Sequence, residues 1–224
     1  MIQDRGFLLS YIRYGDHDAI LHLFSKTQGY QSLFLKGLYS PKNKKKALLQ
    51  PLVELVYNEN KRNSGLPTIS TLQLGRKGVE WDIKNNAVVF FMAEFLNFIL
   101  KKESNLLETY PEIESFLDQL QQGNYASHIQ FLVKFTETLG IKPLLEKEEL
   151  LNPEKGISEK IQTHHLFDIR TTRLWGNILE KGYGVALNNE ERRIMMDSLM
   201  VYYDLHIPEF KIPQSLEVLQ QLWT

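Results

Sequence analysis

Residues 5–37 read RGFLLSYIRYGDHDAILHLFSKTQGYQSLFLKG, and this stretch decides the fold of the first part of the chain. It contains three short runs of aliphatic and aromatic residues, separated by turn-forming sequences at Gly15-Asp16 and Thr27-Gln28-Gly29. Runs of this kind are typical of β-strands joined by tight turns. The stretch therefore predicts three consecutive strands.

Two further runs of the same kind follow, LQPLVELVYN at 49–58 and TISTLQL at 68–74. Several of the five predicted strands carry apolar residues on both faces, as where Leu21 and Leu23 alternate with Ile20. Such two-sided strands suit a closed barrel that packs against a further element. Five short strands within roughly 75 residues match the size of an OB-type barrel, although an SH3-like barrel is compatible with the same composition.

From residue 82 the apolar pattern becomes that of helices. The segment DIKNNAVVFFMAEFLNFILKK at 82–102 has apolar residues at helical spacing and on the neighbouring faces, so it predicts a largely buried helix. Further helix starts are indicated at Pro111, Asn124, Asn188 or Asn189, and Pro213. We therefore predict an α+β protein of two domains, with a five-stranded OB-fold barrel in residues 1–80 and an all-α helical domain in residues 81–224.

Charge differs between these two parts of the chain. Residues 1–80 contain 12 Lys and Arg against 6 Asp and Glu, whereas residues 81–224 contain 14 against 21. The first part is therefore positive by 6 and the second negative by 7, although the whole chain has a net charge of only −1. A basic barrel and an acidic helical domain are expected to bind different partners.

Several classes of function are disfavoured by what the sequence lacks. The absence of cysteine excludes disulfides, thiolate catalysis, and zinc or iron–sulfur sites with cysteine ligands. There is no Gly-rich phosphate loop, no Gly-x-Ser-x-Gly elbow and no His-Glu-x-x-His motif. Neither a signal peptide nor a run of about eighteen apolar residues is apparent. We therefore expect a cytoplasmic protein that is not an enzyme and that uses no cofactor, metal ion or membrane.

Two polar clusters have simpler interpretations than catalysis. His164 and His165 are adjacent, so on a helix their side chains would point about 100° apart and would rarely share a metal ion. Surface or capping roles are favoured for both histidines. Asp16 and Asp18 lie beside a turn without a third acidic ligand, and we expect them to shape that turn.

The stretch SPKNKKKALLQPL at 40–52 concentrates lysines in the first part of the chain. Together with Lys36, which precedes it, and with a second basic loop of the same barrel, it forms a candidate nucleic-acid-binding surface that comprises Lys36, Lys42, Lys44, Lys45, Lys46, Lys61 and Arg62. Such a positive field binds a phosphate backbone with release of counterions. On the preceding strand, Tyr30 and Phe34 share a face with Lys36, which suits base stacking beside a phosphate contact. The alternatives are a solvated lysine loop and a Phe34 that is covered by the helices.

Taken in order, these motifs resemble the RecO family of recombination mediators in bacterial DNA repair, with a Bacteroidetes-like character. In the first part the matching positions are Arg5-Gly6, Tyr14-Gly15-Asp16, Asp18, Gly29, Ser32, Lys36-Gly37 and Gln50-Pro51. Similar segments downstream are AEFLNFIL at 93–100, FLVKFTETLGIKP at 131–143, FDIR at 167–170 and SLEVLQQL at 215–222. The resemblance spans nearly the full chain and rests on the order and spacing of these pieces.

The resemblance implies an N-terminal OB-fold, a C-terminal helical domain and a set of functions. Proteins of this family bind single- and double-stranded DNA, anneal complementary strands, and with RecR help RecA to replace single-strand binding protein (SSB) on DNA. Carried over to this chain, the DNA role falls on Lys36 and on the loop lysines, and Gly37 lets the chain turn into their loop. An alternative of another class is an interaction adaptor, recruited by SSB and RecR, whose own DNA binding is weak.

Two further family features concern the helical domain. Family members bind the acidic, apolar C-terminal tail of SSB, which requires an apolar groove with a basic residue at its rim; candidates are Lys134, Arg170, Arg173 and Arg192. Many members also have a cysteine zinc site around the interval corresponding to 141–175, and this chain departs from that pattern because it has no cysteine. We expect packing to hold those loops, with His164, His165 and acidic residues as the alternative.

Overall fold

The computed structural model describes residues 2–41, 45–60, 64–76, 82–103 and 106–221. Its backbone divides into two compact units, residues 1–110 and residues 111–224. The predicted boundary near residue 80 marks the change from strands to helices. The first compact unit extends beyond that point because it also includes the long helix that follows the strands.

The first unit contains a closed five-stranded barrel. Its strands are β1 (Ile2–Tyr14), β2 (Asp18–Ser25), β3 (Gly29–Leu35), β4 (Glu54–Asn60) and β5 (Thr68–Leu74). They close in the order β1-β2-β3-β5-β4, with β3 parallel to β5 and the other pairs antiparallel. The five predicted strands are confirmed, and so is the fold class of a barrel followed by helices.

Strand β1 is long enough to take part in both sides of the barrel. Its first half pairs with β4, its second half pairs with β2, and the pairing register shifts between Leu8 and Ser10. A bulge at such a position bends the strand and increases its twist, which helps a sheet to close. Gly6 lies near the bend, where a Cβ atom would come within 2.9 Å of the carbonyl oxygen of Phe24.

The barrel core is formed by the inward faces of the strands. Leu21, Leu23, Leu33 and Leu35 are all buried and belong to one apolar cluster with Tyr57. On β3 the alternate positions point away from this cluster and are only partly buried. This alternation confirms that Tyr30, Ser32 and Phe34 share one face and that Leu33 and Leu35 share the other, as residues along a strand must.

Helix α1 (Ile83–Lys102) packs against the outside of the barrel. Asp82 caps its N-terminus by accepting a hydrogen bond from the backbone N–H of Asn85 at 2.6 Å. At the barrel, the side-chain oxygen of Asn97 accepts hydrogen bonds from Tyr30 at 3.2 Å and from Ser10 at 3.3 Å. The helix is long and apolar enough to cross a membrane by composition, but 61% of its most apolar window is buried inside the structure, as in a core helix.

The second unit is mainly helical. Its helices are α2 (Thr109–Gln121, which begins at the end of the first unit), α3 (Ser127–Thr138), α4 (Ile169–Lys181), α5 (Asn189–His206) and α6 (Leu216–Gln221). Trp175, Tyr202 and Tyr203 are fully buried at its core. Asn188 caps α5 in a reciprocal capping box with Glu191, which confirms one of the two predicted caps. Asn124 is not the cap of α3, because a turn at 124–126 precedes the helix and places Ala126 at the cap position.

The interval 141–170 contains a small hairpin of β6 (Leu150–Asn152) and β7 (Ile157–Glu159). Long side chains of α5 hold this interval through its backbone. The Tyr202 hydroxyl donates to the carbonyl of Ile141 at 2.7 Å, and His206 Nε2 lies 2.7 Å from the carbonyl oxygen of Pro153. Strands of three residues were not predicted because they are too short to show a periodic pattern.

Candidate nucleic-acid interface

At one end of the barrel, the chain that leaves β3 folds back onto the turn between β1 and β2. Gly37 adopts φ +68°, a conformation that glycine tolerates well, and its N–H donates to Oδ1 of Asp18 at 2.8 Å. The N–H of Tyr39 then donates to the carbonyl of His17 at 2.9 Å. This geometry agrees with the predicted turning role of Gly37, whereas Asp18, which was predicted to shape the β1–β2 turn, accepts a hydrogen bond from the turn after β3. Tyr39 is thereby held beside the β1–β2 turn.

Two cations lie over the ring of Tyr39 at this end of the barrel. The Arg13 guanidinium is 5.1 Å and the Lys46 ammonium 5.6 Å from the ring centroid, within the range of cation–π attraction. Arg13 also donates to the carbonyl of Gly15 at 3.2 Å and to that of Asp16 at 2.8 Å. We call Arg13, Lys36, Tyr39, Lys45 and Lys46 the basic end of the barrel.

The sequence pattern placed Lys36, Lys45 and Lys46 at this surface but did not reveal Arg13 and Tyr39. Lys36 is exposed directly after β3, whereas Lys45 and Lys46 begin a short 3₁₀ helix, Lys45–Leu48. The pairing between strands is the feature that relates Arg13 to this surface. Arg13 pairs with Ala19, and Ala19 pairs with Leu35 at the end of β3. Arg13 is therefore aligned with the end of β3, next to the lysine segment.

An aromatic and aliphatic row lies on the outer face of the sheet beside the basic end. Ile12 pairs with Ile20, and Ile20 pairs with Phe34, so the three side chains are neighbours on one face. Tyr14 contacts Phe34 edge to face, with ring centroids 5.5 Å apart. Tyr14 is 56% exposed and Phe34 is half-buried. This row could offer ring faces to bases, and Tyr14 is a member that the sequence pattern did not reveal.

Tyr30, the other predicted stacking residue, has a different environment. Its hydroxyl donates to Asn97 of α1, its ring stacks on His22 at 5.9 Å, and burial raises its pKa to about 12. His22 in turn lies 3.0 Å from the Ser32 hydroxyl, and burial together with the charge of Lys101 lowers the pKa of this histidine. Tyr30 therefore packs against the helix.

Four predicted DNA-binding residues, Lys42, Lys44, Lys61 and Arg62, lie outside the described residues. Their assignment stays a prediction from the sequence. The cations that the structure places at the basic end are Arg13, Lys36, Lys45 and Lys46.

Known proteins of similar sequence are DNA repair proteins. Residues 1–76 match the family model described as "Recombination protein O N terminal". Proteins named "DNA repair protein RecO" align end to end with this chain: one from Christiangramia forsetii is 28% identical and one from Flavobacterium psychrophilum 24% identical, each covering 100% of this chain and 99% of the relative. A third, from Porphyromonas gingivalis, is 26% identical with the same coverage.

Over its whole length the chain is therefore similar to RecO DNA repair proteins, and residues 1–76 match the N-terminal domain of that family. The barrel is thus the family's OB-fold, which decides between the two barrel types that composition left open.

The cysteine zinc site of many RecO proteins does not fit the residues of this chain, which has no cysteine. In the corresponding interval the rings of His164 and His165 stack at 4.6 Å, and Nδ1 of His164 accepts a hydrogen bond from the N–H of Leu166 at 3.2 Å. Within the part of the chain that the structure describes, no three His, Asp or Glu side chains gather as a metal site would require. The contacts in this interval include the hairpin and the hydrogen bonds from α5.

The four candidate partner-binding cations of the helical unit differ in their surroundings. Arg170 donates to both carboxylate oxygens of Glu190 at 2.9 and 3.1 Å, and this pairing raises its pKa. Arg192 is partly buried, donates to the carbonyl of Leu187 at 3.3 Å, and has its pKa lowered by that burial. Both guanidinium groups are engaged within the unit.

Lys134 and Arg173 line concave surfaces. Arg173 borders an open groove of about 720 Å³ that also contains Leu144 and Ile169 and has acidic residues on its rim. Lys134 lies at a smaller cleft of about 260 Å³, which is lined by Pro111, Glu112, Ser115, Phe131, Lys134, Gly182 and Tyr183. The Lys134 ammonium donates to the carbonyl of Leu179 at 3.1 Å. The smaller cleft combines apolar walls with a cation at its edge.

Proposed function

We propose that this protein is a recombination mediator that binds DNA on the basic end of its barrel. It binds single and double strands, promotes annealing of complementary strands and, with RecR, assists the loading of RecA onto SSB-coated DNA. It acts without bond-breaking chemistry, in the cytoplasm at the nucleoid. The observation that carries the proposal is the gathering of Arg13 and Lys46 around Tyr39, beside the exposed Tyr14 and the half-buried Phe34.

The proposed mechanism is electrostatic. Two complementary strands repel each other, and a basic surface that neutralises their phosphates lowers the barrier to their encounter. Bases that rest on Tyr14 and Phe34 keep their hydrogen-bonding edges free, because stacking uses only the ring faces. The surface can therefore hold one strand in a form that is ready to pair with another.

A salt titration tests the role of the lysine segment. Changing Lys42, Lys44, Lys45 and Lys46 together to alanine is expected to reduce the magnitude of the log-log salt slope for a labelled oligothymidine by ~0.7 for each lysine that neutralises a phosphate. The thermal unfolding midpoint should change little. A slope equal to that of the wild type would show that the segment does not contact DNA.

Labelled DNA incubated with the protein and magnesium or manganese should stay intact, and cleavage products would contradict the non-enzymatic role.

Lys134 and its cleft are the proposed site for the SSB tail. An apolar side chain fits against Phe131 and Tyr183, and the terminal carboxylate would meet the Lys134 ammonium at the edge. A fluorescent peptide with an apolar last residue and a free carboxylate should bind the wild type roughly five to ten times more tightly than the Lys134→Gln variant. The amidated peptide should bind both proteins equally. If the variant binds the free-acid peptide as well as the wild type does, the cleft is not the tail site.

The adaptor hypothesis is supported by the same cleft, since it would let SSB recruit a protein whose own DNA binding is weak. Strand-annealing rates of the isolated protein distinguish the two accounts. Annealing that is accelerated by the wild type and abolished in the lysine-segment variant supports the mediator. Tail binding without any acceleration of annealing supports the adaptor.

A further inference from the structure

Tyr39 occupies a fixed position at the basic end of the barrel. Its N–H donates to the carbonyl of His17 at 2.9 Å, and the turn that contains it is closed by a hydrogen bond from the N–H of Ser40 to the carbonyl of Gly37 at 3.1 Å. Its partly buried side chain packs against the apolar barrel core. The ring is therefore held both by its own backbone and by the core beneath it.

The groups that hold Arg13 and Lys46 are electrically neutral. Among the described residues, Arg13 contacts two backbone carbonyls and the Tyr39 ring, and Lys46 contacts the same ring. A carboxylate in place of the ring would orient these cations but would also cancel part of their charge and compete with a phosphate. The face of an aromatic ring attracts a cation through its quadrupole and leaves the net charge unchanged.

We infer that Tyr39 is the positioning residue of the DNA surface, which holds Arg13 and Lys46 ready for neighbouring phosphates of a single strand. This inference rests on the proposed DNA-binding function. Long cationic side chains lose rotamer freedom when they bind a ligand, and a surface that orders them beforehand binds more tightly. Tyr39 thus increases affinity through the two cations and not through its own contact with DNA.

Three variants test this role with a fluorescein-labelled oligothymidine as the probe. Tyr39→Phe keeps the ring and should bind within about twofold of the wild type, whereas Tyr39→Leu keeps apolar packing but removes the ring face and should bind roughly three to ten times more weakly. The double variant Arg13→Gln/Lys46→Gln should lower the magnitude of the salt slope by ~1.4, since two phosphates are no longer neutralised. Adding Tyr39→Leu to the double variant should cause no further weakening, because the cations it positions are already absent.

Each outcome of this set of variants has one meaning. No effect of Arg13→Gln/Lys46→Gln overturns the proposed DNA surface itself. A normal effect of that double variant, with no effect of Tyr39→Leu alone, overturns the positioning role and leaves the surface intact. An additive weakening of DNA binding in the triple variant would show that Tyr39 touches DNA directly. An equal weakening in Tyr39→Phe and Tyr39→Leu would show that the hydroxyl group is what matters. Either result contradicts the inference. If Tyr39→Leu does not fold, Tyr39→Met replaces it with the same expectations.

Discussion

Three cations of the helical unit and two at the basic end of the barrel are held in different ways. In the helical unit, Arg170 pairs with Glu190 at 2.9 Å, Lys155 with Glu159 at 2.6 Å and Lys142 with Glu137 at 3.0 Å. At the basic end of the barrel, Arg13 and Lys46 are held by carbonyl groups and an aromatic ring. Arg5, elsewhere on the barrel, does approach a carboxylate, that of Glu54 at 3.9 Å.

This difference has a functional consequence. Carboxylates beside a cation keep a surface near neutral, while neutral partners order the cation and leave its field available to a polyanion. The net charges of +6 for residues 1–80 and −7 for residues 81–224 also favour binding of a polyanion to the first part of the chain. If the basic end binds DNA as proposed, the partners of its lysines and arginines, as well as their number, distinguish it from the solvated surface of the helical unit.

The largest effect on DNA binding is expected when a carboxylate is placed beside the cations at the basic end of the barrel, as in the ion pairs of the helical unit. Tyr39→Glu places a carboxylate between Arg13 and Lys46, so these cations should pair with it instead of with phosphate. Affinity for single-stranded DNA at low salt should fall by about 20-fold or more, as fluorescence anisotropy would measure. Tyr39→Gln is the matched control, since it removes the ring without adding charge, and its affinity should fall clearly less. Equal decreases in the two variants would show that the charge of the partner is unimportant.

A second difference between the two units concerns their stability at low pH. His128 is fully buried in the helical unit, where burial and the charge of Arg192 lower its pKa to about 3. The unfolded chain takes up a proton at this histidine near its ordinary pKa of about 6.5, while the folded chain does not, so stability is lost as the pH falls from 6.5 towards 3. At pH 5 this decrease in the free energy of unfolding should reach about 2 kcal/mol relative to pH 7.5, as measured by urea unfolding.

The variant His128→Leu isolates this contribution. It should make the decrease in stability between pH 7.5 and pH 5 smaller than in the wild type, whatever its effect at neutral pH. His22→Leu in the barrel is the control, because His22 is only half-buried, whereas His128 is fully buried. If the wild type and His128→Leu lose equal stability on acidification, the buried histidine is not the cause.

A smaller effect is expected at the start of α5. Asn188→Ala removes the side-chain half of the capping box, in which the Asn188 oxygen accepts from the N–H of Glu191 at 2.9 Å. The free energy of unfolding should fall by about 1 kcal/mol, with no change in the salt dependence of DNA binding. Asn189→Ala, one residue further into the helix, should cost clearly less. A change in DNA affinity on Asn188→Ala would mean that the helical unit takes part in that binding.

Much of this architecture could be predicted from local pattern. The five strands, the two faces of β3, the α1 segment and the cap at Asn188 each depend on a few neighbouring residues, so turn chemistry and periodicity suffice to locate them. The grouping of α1 with the barrel could not be predicted, because a helix that is apolar on most faces does not indicate which neighbour it will contact.

Local sequence pattern likewise reveals only part of the candidate site. The lysine segment stands out in the sequence as a run of charge, whereas Arg13 and Tyr39 are 26 residues apart and meet through strand register and the turn at Gly37. Phe34 and Tyr30 follow the same alternation on β3, yet it is Tyr30 whose hydroxyl donates to Asn97 of α1. Such differences depend on tertiary packing, which no local pattern encodes.

The most direct test of the central claim is the salt dependence of single-strand binding by a variant in which Arg13, Lys36 and Lys46 are all changed to glutamine. The account predicts that the magnitude of the log-log slope falls by ~2 relative to the wild type, since each phosphate contact contributes ~0.7. The matched control changes the exposed Lys147, Lys160 and Lys211 of the helical unit to glutamine and should keep the wild-type slope. Equal slopes for the two triple variants would contradict the assignment of DNA binding to the basic end of the barrel.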